Sequence, residues 1–298
     1  MTFVPRADIL SLEEVKRICT AFIRRGTRRI RLTGGDPLAR GGIDTLVGAH
    51  GRHLDDGSLD ELTLTTNGSQ LVRHAPALAA AGVRRANISL DSLDPARFAR
   101  ITRHGHLADV LYGIDAATDA GLAVKINMVA LRGVNEDEIV PMMRWAHERG
   151  FGLTLIETMP MGNTDEDRLD RYLPLTEVRA MLDAQFGLLP LATKTGGPAR
   201  YYDVQETGGR IGFISPLTRN FCDGCNRVRL TATGKLYLCL GQEDRVDLKA
   251  ILRDGGSDAD LDAALDEAMR IKPRGHDFHI DRRGQAPAVP RTMSATGG

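Results

Sequence analysis

Apolar and polar positions follow two periods along the first two thirds of the chain. Residues 11–25 carry apolar side chains at helical spacing, with Ser11 as an N-cap, Glu14 three residues later and Gly26 as the stop. Residues 28–33 (RRIRLT) then predict a strand. The pattern repeats with strands at 62–68, 84–92, 122–131 and 151–159. Between them lie a helical stretch to about His53, then helices at 69–81, around 95–101, at 107–120 and at 135–149. Strands alternating with helices at this spacing predict parallel β/α units.

The last third changes character. Residues 173–186 predict a helix, and YYDVQE, RIGFIS, RVRLTA and KLYLCL predict short antiparallel strands joined by TGG and ATG turns. Helices at about 246–253 and 258–271 follow, then a polar tail containing Pro and Gly. The charged connector MGNTDEDRLDR (161–171) marks a boundary, giving domains 1–165 and 166–298. No internal repeat and no low-complexity tract interrupts the pattern.

The strand ends break the apolar rule. A sheet covered by helices should be apolar on both faces. Residues i and i+2 of a strand share a face. Read with that parity, the five strands offer Arg31 and Thr33; Thr63, Thr65 and Asn67; Asn87, Ser89 and Asp91; Lys125 and Asn127; Glu157 and Met159. In parallel barrels, functional side chains gather at the C-terminal ends of strands. The bland alternative is that these residues start solvent-facing loops. Lys125 stands out, because the chain has 33 Arg but only six Lys and this one interrupts an apolar strand. A buried ammonium needs an anionic partner, so a phosphate or carboxylate ligand is expected.

Composition narrows the class without choosing a function. The 298 residues are 42% hydrophobic and 26% charged, enough for one large α/β domain or a barrel with a small second domain. Thirty-nine basic residues balance 39 acidic ones, which argues against a generic nucleic-acid or membrane-surface binder. No apolar run reaches the roughly 18 residues of a spanning helix. No secretory leader is evident at the start, so a cytoplasmic protein is the default.

The four cysteines are more informative. Cys222-x2-Cys225-x13-Cys239 puts three thiols within 18 residues. A Cys-x2-Cys turn directs two thiolates at one metal centre, and a third can come from a following strand. Two sites suit three thiolates: zinc with a fourth ligand such as His276 or His279, or an iron–sulfur cluster with one open iron. Cys19 lies in a helical pattern and reads as an ordinary buried residue.

Two further motifs carry chemistry. In Gly34-Gly35-Asp36-Pro37, Asp36 suits an N-cap and Pro37 a first helical position. Alternatively, the bare glycine backbone admits a ligand to the sheet edge, and Asp36 holds its amine. Arg227 and Arg229 follow the cysteine turn. They suit bidentate phosphate contact, against the plainer reading of surface ion pairs.

Taken together, RLTGGDPLAR, LTTNG, ANISLDSLD, VKINMVALRGVNEDEI, LIETMPMGNT, FCDGCNRVRLTATGKLYLCL and the closing Gly-Gly resemble the GTP 3′,8-cyclases of molybdenum cofactor biosynthesis, which are radical S-adenosylmethionine enzymes. The resemblance spans essentially the whole chain. It implies an α/β fold: a partial (β/α) barrel with a C-terminal α+β iron–sulfur domain. It implies that Cys222, Cys225 and Cys239 hold a [4Fe–4S] cluster whose open iron meets guanine. Arg31, Thr65, Lys125, Arg227, Val228 and Arg229 would line the GTP site, and Gly297 and Gly298 would reach into it. Gly35, Asp36, Ser89 and Met159 would contact S-adenosylmethionine, with Asp36 replacing the more usual Glu. Five of these residues also belong to the parity set: Arg31, Thr65, Ser89, Lys125 and Met159.

One departure bears on activity. The family's Cys-x3-Cys-x2-Cys loop, which binds the cluster that cleaves S-adenosylmethionine, has no counterpart in these 298 residues. The expectation is a chain lacking the family's first barrel strand and that loop, with an open sheet edge and doubtful activity. In the intact family a 5′-deoxyadenosyl radical takes hydrogen from C3′ of GTP, and C3′ then joins C8 to give 3′,8-cyclo-7,8-dihydro-GTP. The expected partners are GTP, S-adenosylmethionine and a protein or small-molecule reductant, with a homodimer compatible and neither nucleic acid nor membrane involved. The alternative from a different class is a non-catalytic zinc or iron–sulfur module.

Overall fold

The computed structural model describes residues 4–164, 166–192 and 195–296. Eight strands form the main sheet: β1 (Arg29–Leu32), β2 (Glu61–Thr66), β3 (Arg85–Ser89), β4 (Ala123–Val129), β5 (Gly152–Ile156), β6 (Leu188–Pro190), β7 (Arg200–Val204) and β8 (Gly209–Ile214). Their spatial order is β1-β2-β3-β4-β5-β8-β7-β6. β1 to β5 and β8 run parallel to one another, while β6, β7 and β8 pair antiparallel. A second sheet has the order β11-β10-β9, from β9 (Arg229–Leu230), β10 (Lys235–Tyr237) and β11 (Arg245–Asp247).

Parallel neighbours need crossovers, and helices supply them. α1 (Leu12–Arg24) precedes the sheet, and α2 (Ile43–Asp55), α3 (Leu71–Ala80), α4 (Pro95–Thr102), α5 (Leu107–Asp119) and α6 (Ile139–Glu148) connect β1 to β5. α7 (Arg168–Arg171) and α8 (Leu175–Asp183) follow β5, and α9 (Leu248–Arg253), α10 (Asp258–Arg270) and α11 (Met293–Thr296) close the chain. The helix starts obey local chemistry. Ser11 and Glu14 form a reciprocal capping box on α1, and Ser257 and Asp260 do the same on α10.

The helices cover one face of the sheet. Leu62, Leu64, Ala86, Ile88, Val124, Ile126, Leu153 and Leu155 all point into that layer and are buried. Each such Leu or Ile stabilises the fold by roughly 1.5–3 kcal/mol, so this layer dominates the core. A second core joins the two ends of the chain. Leu10, Ile18 and Ala21 pack with Leu236, Leu238, Leu248, Leu261 and Leu265. Arg24 pairs with Asp262, and Arg253 with Glu14, around its rim. The three-stranded sheet is thereby held against α1, next to the main sheet.

The strands near 200–214 depart from the pattern the sequence predicts for the last third, an antiparallel set of its own. Instead β8 lies parallel to β5 and extends the main sheet beyond residue 165. The reason is the crossover through α7 and α8, which turns the chain around before β8. Periodicity shows a strand but not its neighbour, so this pairing leaves no sign in the sequence. No helix among the described residues is long and apolar enough to cross a membrane.

Candidate functional site

The other face of the main sheet is polar. Paired residues on neighbouring strands share a face, and the registers Arg31↔Thr63, Thr65↔Asn87, Asn87↔Lys125, Asn127↔Thr154 and Thr154↔Gly212 trace a continuous inner surface. Its members alternate along each strand with the apolar residues of the core. Five of its polar atoms are buried without a hydrogen-bond partner: Thr65 Oγ1, Arg85 Nε, Asn87 Oδ1, Asn127 Oδ1 and Thr154 Oγ1. Buried polar groups are almost always paired, so a run of unpaired ones across four strands marks a surface built for a polar ligand. Glycine at 212 lets the Tyr201 ring lie close against this face, while Gly152 is in ordinary contact with Lys125. A Cβ on Gly212 would stand 2.8 Å from the Tyr201 ring, and one on Gly152 would stand 3.8 Å from Lys125 Cγ.

Cations dominate this face. Burial lowers Lys125 to about 7, and repulsion from Arg31 and Arg85 adds to the effect, with Glu61 opposing it. Burial and then Arg85 lower Arg31, Glu61 opposes, and Arg227 lowers it further. Arg31 is nevertheless exposed by surface area, because it lines an open concavity where protein surrounds it but water reaches it. Arg229 is brought to about 10 by burial, then by Arg227, with Cys225 and Cys239 opposing and Arg31 adding to the shift. These mutual effects place Arg31, Arg85, Lys125, Arg227 and Arg229 in one cluster. Glu61 is the carboxylate that answers them, accepting from Arg85 Nη2 at 2.7 Å. Five cations facing one carboxylate suit a polyanion.

The cysteine turn adjoins this cluster. Cys222 and Cys225 flank a short 3-10 turn, with the Cys225 N–H donating to the Cys222 carbonyl at 2.9 Å. Cys239 follows β10, the strand that pairs with β9. Burial pushes the Cys225 thiol up. The backbone N–H and the guanidinium of Arg227, with the charges of Arg227 and Lys272, outweigh this and hold it below its ordinary value. Arg227 Nη2 lies 3.3 Å from Cys225 Sγ, and its guanidinium covers the Phe221 ring at 5.0 Å. Arg291 fastens the third cysteine, donating to the carbonyls of Cys239 (3.0 Å), Leu240 and Gln242 (2.7 Å). A lowered thiol among cations is the right chemistry for binding iron as thiolate. Among the described residues, no three His, Cys, Asp or Glu side chains converge as they would on one metal ion. His276 Nε2 is buried and unpaired, while His279 Nδ1 contacts the Asp277 carbonyl at 2.9 Å. Three thiols beside guanidiniums are chemically suited to hold an anionic iron–sulfur group as thiolates.

The remaining candidates fall at the C-terminal ends of the strands. Ser89 closes β3 and is exposed, and Met159 follows β5 and packs beside Met161, Phe278 and Val289. Gly35 is exposed in the turn after β1. Asp36 takes the capping role in full. It accepts from Leu38 N (2.9 Å), Thr66 Oγ1 (2.8 Å) and Asn67 N (2.7 Å), tying the β1 turn to the β2 turn. Val228 packs against the second core, so a contact with a ligand would come from its backbone. Gly297 and Gly298 lie outside the described residues. Met293, just before them, packs in the cluster that includes Met159 and Leu240.

Two parity-set residues prove structural. Asp91 is pushed up to about 6 by burial and accepts from Val129 N at 2.7 Å. Glu157 is wholly buried and pegs two loops to the end of β5. Conversely, Arg85, Glu61 and Thr154 join the site without being singled out by the sequence pattern. Arg85 and Glu61 obey the same i, i+2 parity as Asn87 and Thr63 but stand at the N-terminal ends of their strands. The barrel rule points to the other end.

Comparison with known proteins identifies the family. The profile of the Radical SAM superfamily matches residues 2–146, and that of Molybdenum Cofactor Synthesis C matches residues 151–278. A GTP 3′,8-cyclase of Rhodopseudomonas palustris is 61% identical over all 298 residues and 87% of its own length. Proteins of the same name from Rhizobium meliloti and Brucella canis are 60% and 59% identical, with 85% and 87% of their lengths covered. Among solved structures, Streptococcus suis SuiB superposes with a TM-score of 0.57 at 14% identity, covering 80% of this chain and 57% of that one. SuiB bound to S-adenosylmethionine gives 0.55 at 13% identity, covering 83% and 59%. These likenesses to SuiB speak to the fold alone. The chain belongs to the GTP 3′,8-cyclase family of the radical S-adenosylmethionine superfamily.

Proposed function

We propose that this chain acts on GTP as a GTP 3′,8-cyclase of molybdenum cofactor biosynthesis, with the nucleotide lying along the polar inner face of the main sheet. The observation that carries this reading is that Arg31, Arg85 and Lys125 share one face with five unpaired buried polar atoms, with Arg227 and Arg229 of the neighbouring sheet and loop close to them. Arg31, Lys125, Arg227 and Arg229 would hold the triphosphate, and Thr65 would meet it through its free hydroxyl. Cys222, Cys225 and Cys239 would hold a [4Fe–4S] cluster, which would supply an open iron for guanine. Gly35, Ser89 and Met159 would face S-adenosylmethionine at the C-terminal strand ends, with Asp36 already engaged as a cap. Residues 1–165 would then serve S-adenosylmethionine and residues 166–298 the cluster and guanine, although the main sheet crosses that division. The protein's contribution is orientation and exclusion of water around the reacting ribose.

Titration calorimetry tests the nucleotide reading. GTP is expected to bind at least about tenfold more tightly than guanosine, which lacks the phosphates that cations recognise. Equal affinities would overturn the assignment of this face. Cys239→Ser is expected to cut bound iron by more than about half and bleach the visible absorbance, because two thiolates hold a cubane poorly. Unchanged iron content would remove Cys239 from the ligand set.

A further inference from the structure

Inside the cation cluster, Glu61 is out of place. It opens β2 on the inner face, opposite Arg29 in the register, and takes Arg85 Nη2 at 2.7 Å. The pair is neither fully buried nor free, with the Arg85 and Glu61 side chains 21% and 31% exposed. Arg85 is only half satisfied, since its Nε is buried without a partner. Both residues line a cavity of about 600 Å³ whose wall also includes Arg29, Asp55, Arg84 and the Thr195–Gly196 turn. That turn presses on the cluster: a Cβ on Gly196 would stand 2.8 Å from Arg29 Cδ, and one on Gly197 would stand 3.7 Å from Arg31 Nη2. Asp60, on the same cavity, is engaged by Arg28 Nη2 at 2.7 Å.

We propose that Glu61 is a built-in counter-ion for the phosphate site, holding Arg85 until a phosphate takes its guanidinium, and that Glu61 thereby limits how tightly phosphates are held. The inference rests on the reading that the triphosphate lies on this face. An arginine with one nitrogen on a carboxylate and a second unpaired can turn to a bidentate phosphate contact. Once a phosphate arrives, Glu61 stands beside another anion and repels it. A repulsive group inside a binding site sets release and selectivity as much as the attractive groups do. Such a limit has a use in the reaction proposed above. Joining C3′ to C8 leaves the triphosphate unchanged, so the cations grip substrate and product alike. A site without an internal competitor would retain its product.

Calorimetry with inorganic tripolyphosphate and with GTP on the full chain tests the idea through opposite signs. Glu61→Gln is expected to tighten tripolyphosphate about tenfold, and Arg85→Gln to weaken it about tenfold. Glu61→Asp keeps the charge and is expected to stay within about threefold of the parent, which guards against a fold defect in the Gln variant. If the pair merely braces the sheet, both substitutions lower the melting temperature and leave phosphate affinity unchanged, and the proposal fails. It also fails if Glu61→Gln weakens binding. Should the parent chain bind neither GTP nor tripolyphosphate, the nucleotide reading itself falls. Should the parent bind both while the variants match it, only the counter-ion role falls.

Discussion

Lys125→Met is expected to weaken GTP binding about thirtyfold at pH 7 and to flatten its pH dependence above that. A hydrogen bond to a charged partner contributes about 1.5–3 kcal/mol, and thirtyfold corresponds to about 2 kcal/mol. The pH argument is more specific. Burial brings the Lys125 ammonium to about 7, and the nearby guanidiniums of Arg31 and Arg85 help. A bound phosphate would favour the charged form, so binding above pH 7 must take up a proton. Affinity in the parent should therefore fall as pH rises from 7 toward 9, by up to about tenfold per pH unit. The terminal phosphate is already ionised in that window, because its second pKa lies near 6. The Met variant has nothing to protonate there and should give a nearly flat line. Calorimetry at pH 7, 8 and 9 in buffers of differing ionisation enthalpy reads both the affinity and the proton count. A parent affinity independent of pH would remove Lys125 from the phosphate site.

The same shift has a stability side with a fixed sign. Lys125 titrates near 10.5 when unfolded and about 7 when folded. As pH falls from 10.5 to 7 the unfolded chain takes up a proton that the fold does not, and stability is lost across that window. Without nucleotide, Lys125→Met should therefore melt higher than the parent at pH 7. The gain would be on the order of 2 kcal/mol once screening by water in the concavity is allowed for. A residue that costs stability yet contributes affinity is what a binding site predicts, and a bracing residue would show the reverse.

How much of this is legible in the sequence depends on which physics each part obeys. The β/α alternation and the Ser11 cap follow from local periodicity and the structure keeps them, while of the polar parity set Arg31, Thr63, Thr65, Asn87, Ser89, Lys125 and Asn127 lie within strands and Thr33, Asn67, Asp91, Glu157 and Met159 lie beyond the strand ends. The spacing of Cys222, Cys225 and Cys239 is equally local. The pairing of β8 with β5 is not, because register against a distant strand is decided by a crossover and leaves no mark on the strand itself. Arg85 and Glu61 are within reach of parity alone. The expectation that function sits at the C-terminal strand ends passes over them. Arg291 has no local mark at all. It reaches the Cys239 carbonyl from 52 residues away. Glu157 is visible as a polar residue at a strand end, but its surroundings make it a structural peg and not a ligand contact.

Glu157→Gln is expected to cost the fold about 3–5 kcal/mol. The carboxylate is wholly buried. Oε1 takes Leu175 N at 3.1 Å and Thr218 Oγ1 at 2.7 Å, and Oε2 takes Leu217 N at 2.9 Å and Thr218 N at 3.1 Å. The Tyr172 hydroxyl approaches at 3.4 Å. One side chain thus ties the end of β5 to the start of α8 and to the loop that leads into the cysteine turn. A Gln of the same shape keeps one oxygen but turns the other into an amide that donates. Its N–H groups then face the Leu217 and Thr218 N–H groups, or else Leu175 N and the Thr218 hydroxyl. At least one buried donor is left unpaired, and each costs about 1–3 kcal/mol. Replacing a charged acceptor by a neutral one weakens the bonds that remain. For a chain of this size the melting temperature should fall by about 5–8 °C. Met159 lies two residues along the chain and Cys222 four residues beyond Thr218, so both ends of the proposed site should loosen together. Iron retention and GTP affinity in the variant, measured well below its melting temperature, should drop alongside stability. A variant that melts with the parent would show that the two loops are held by other contacts.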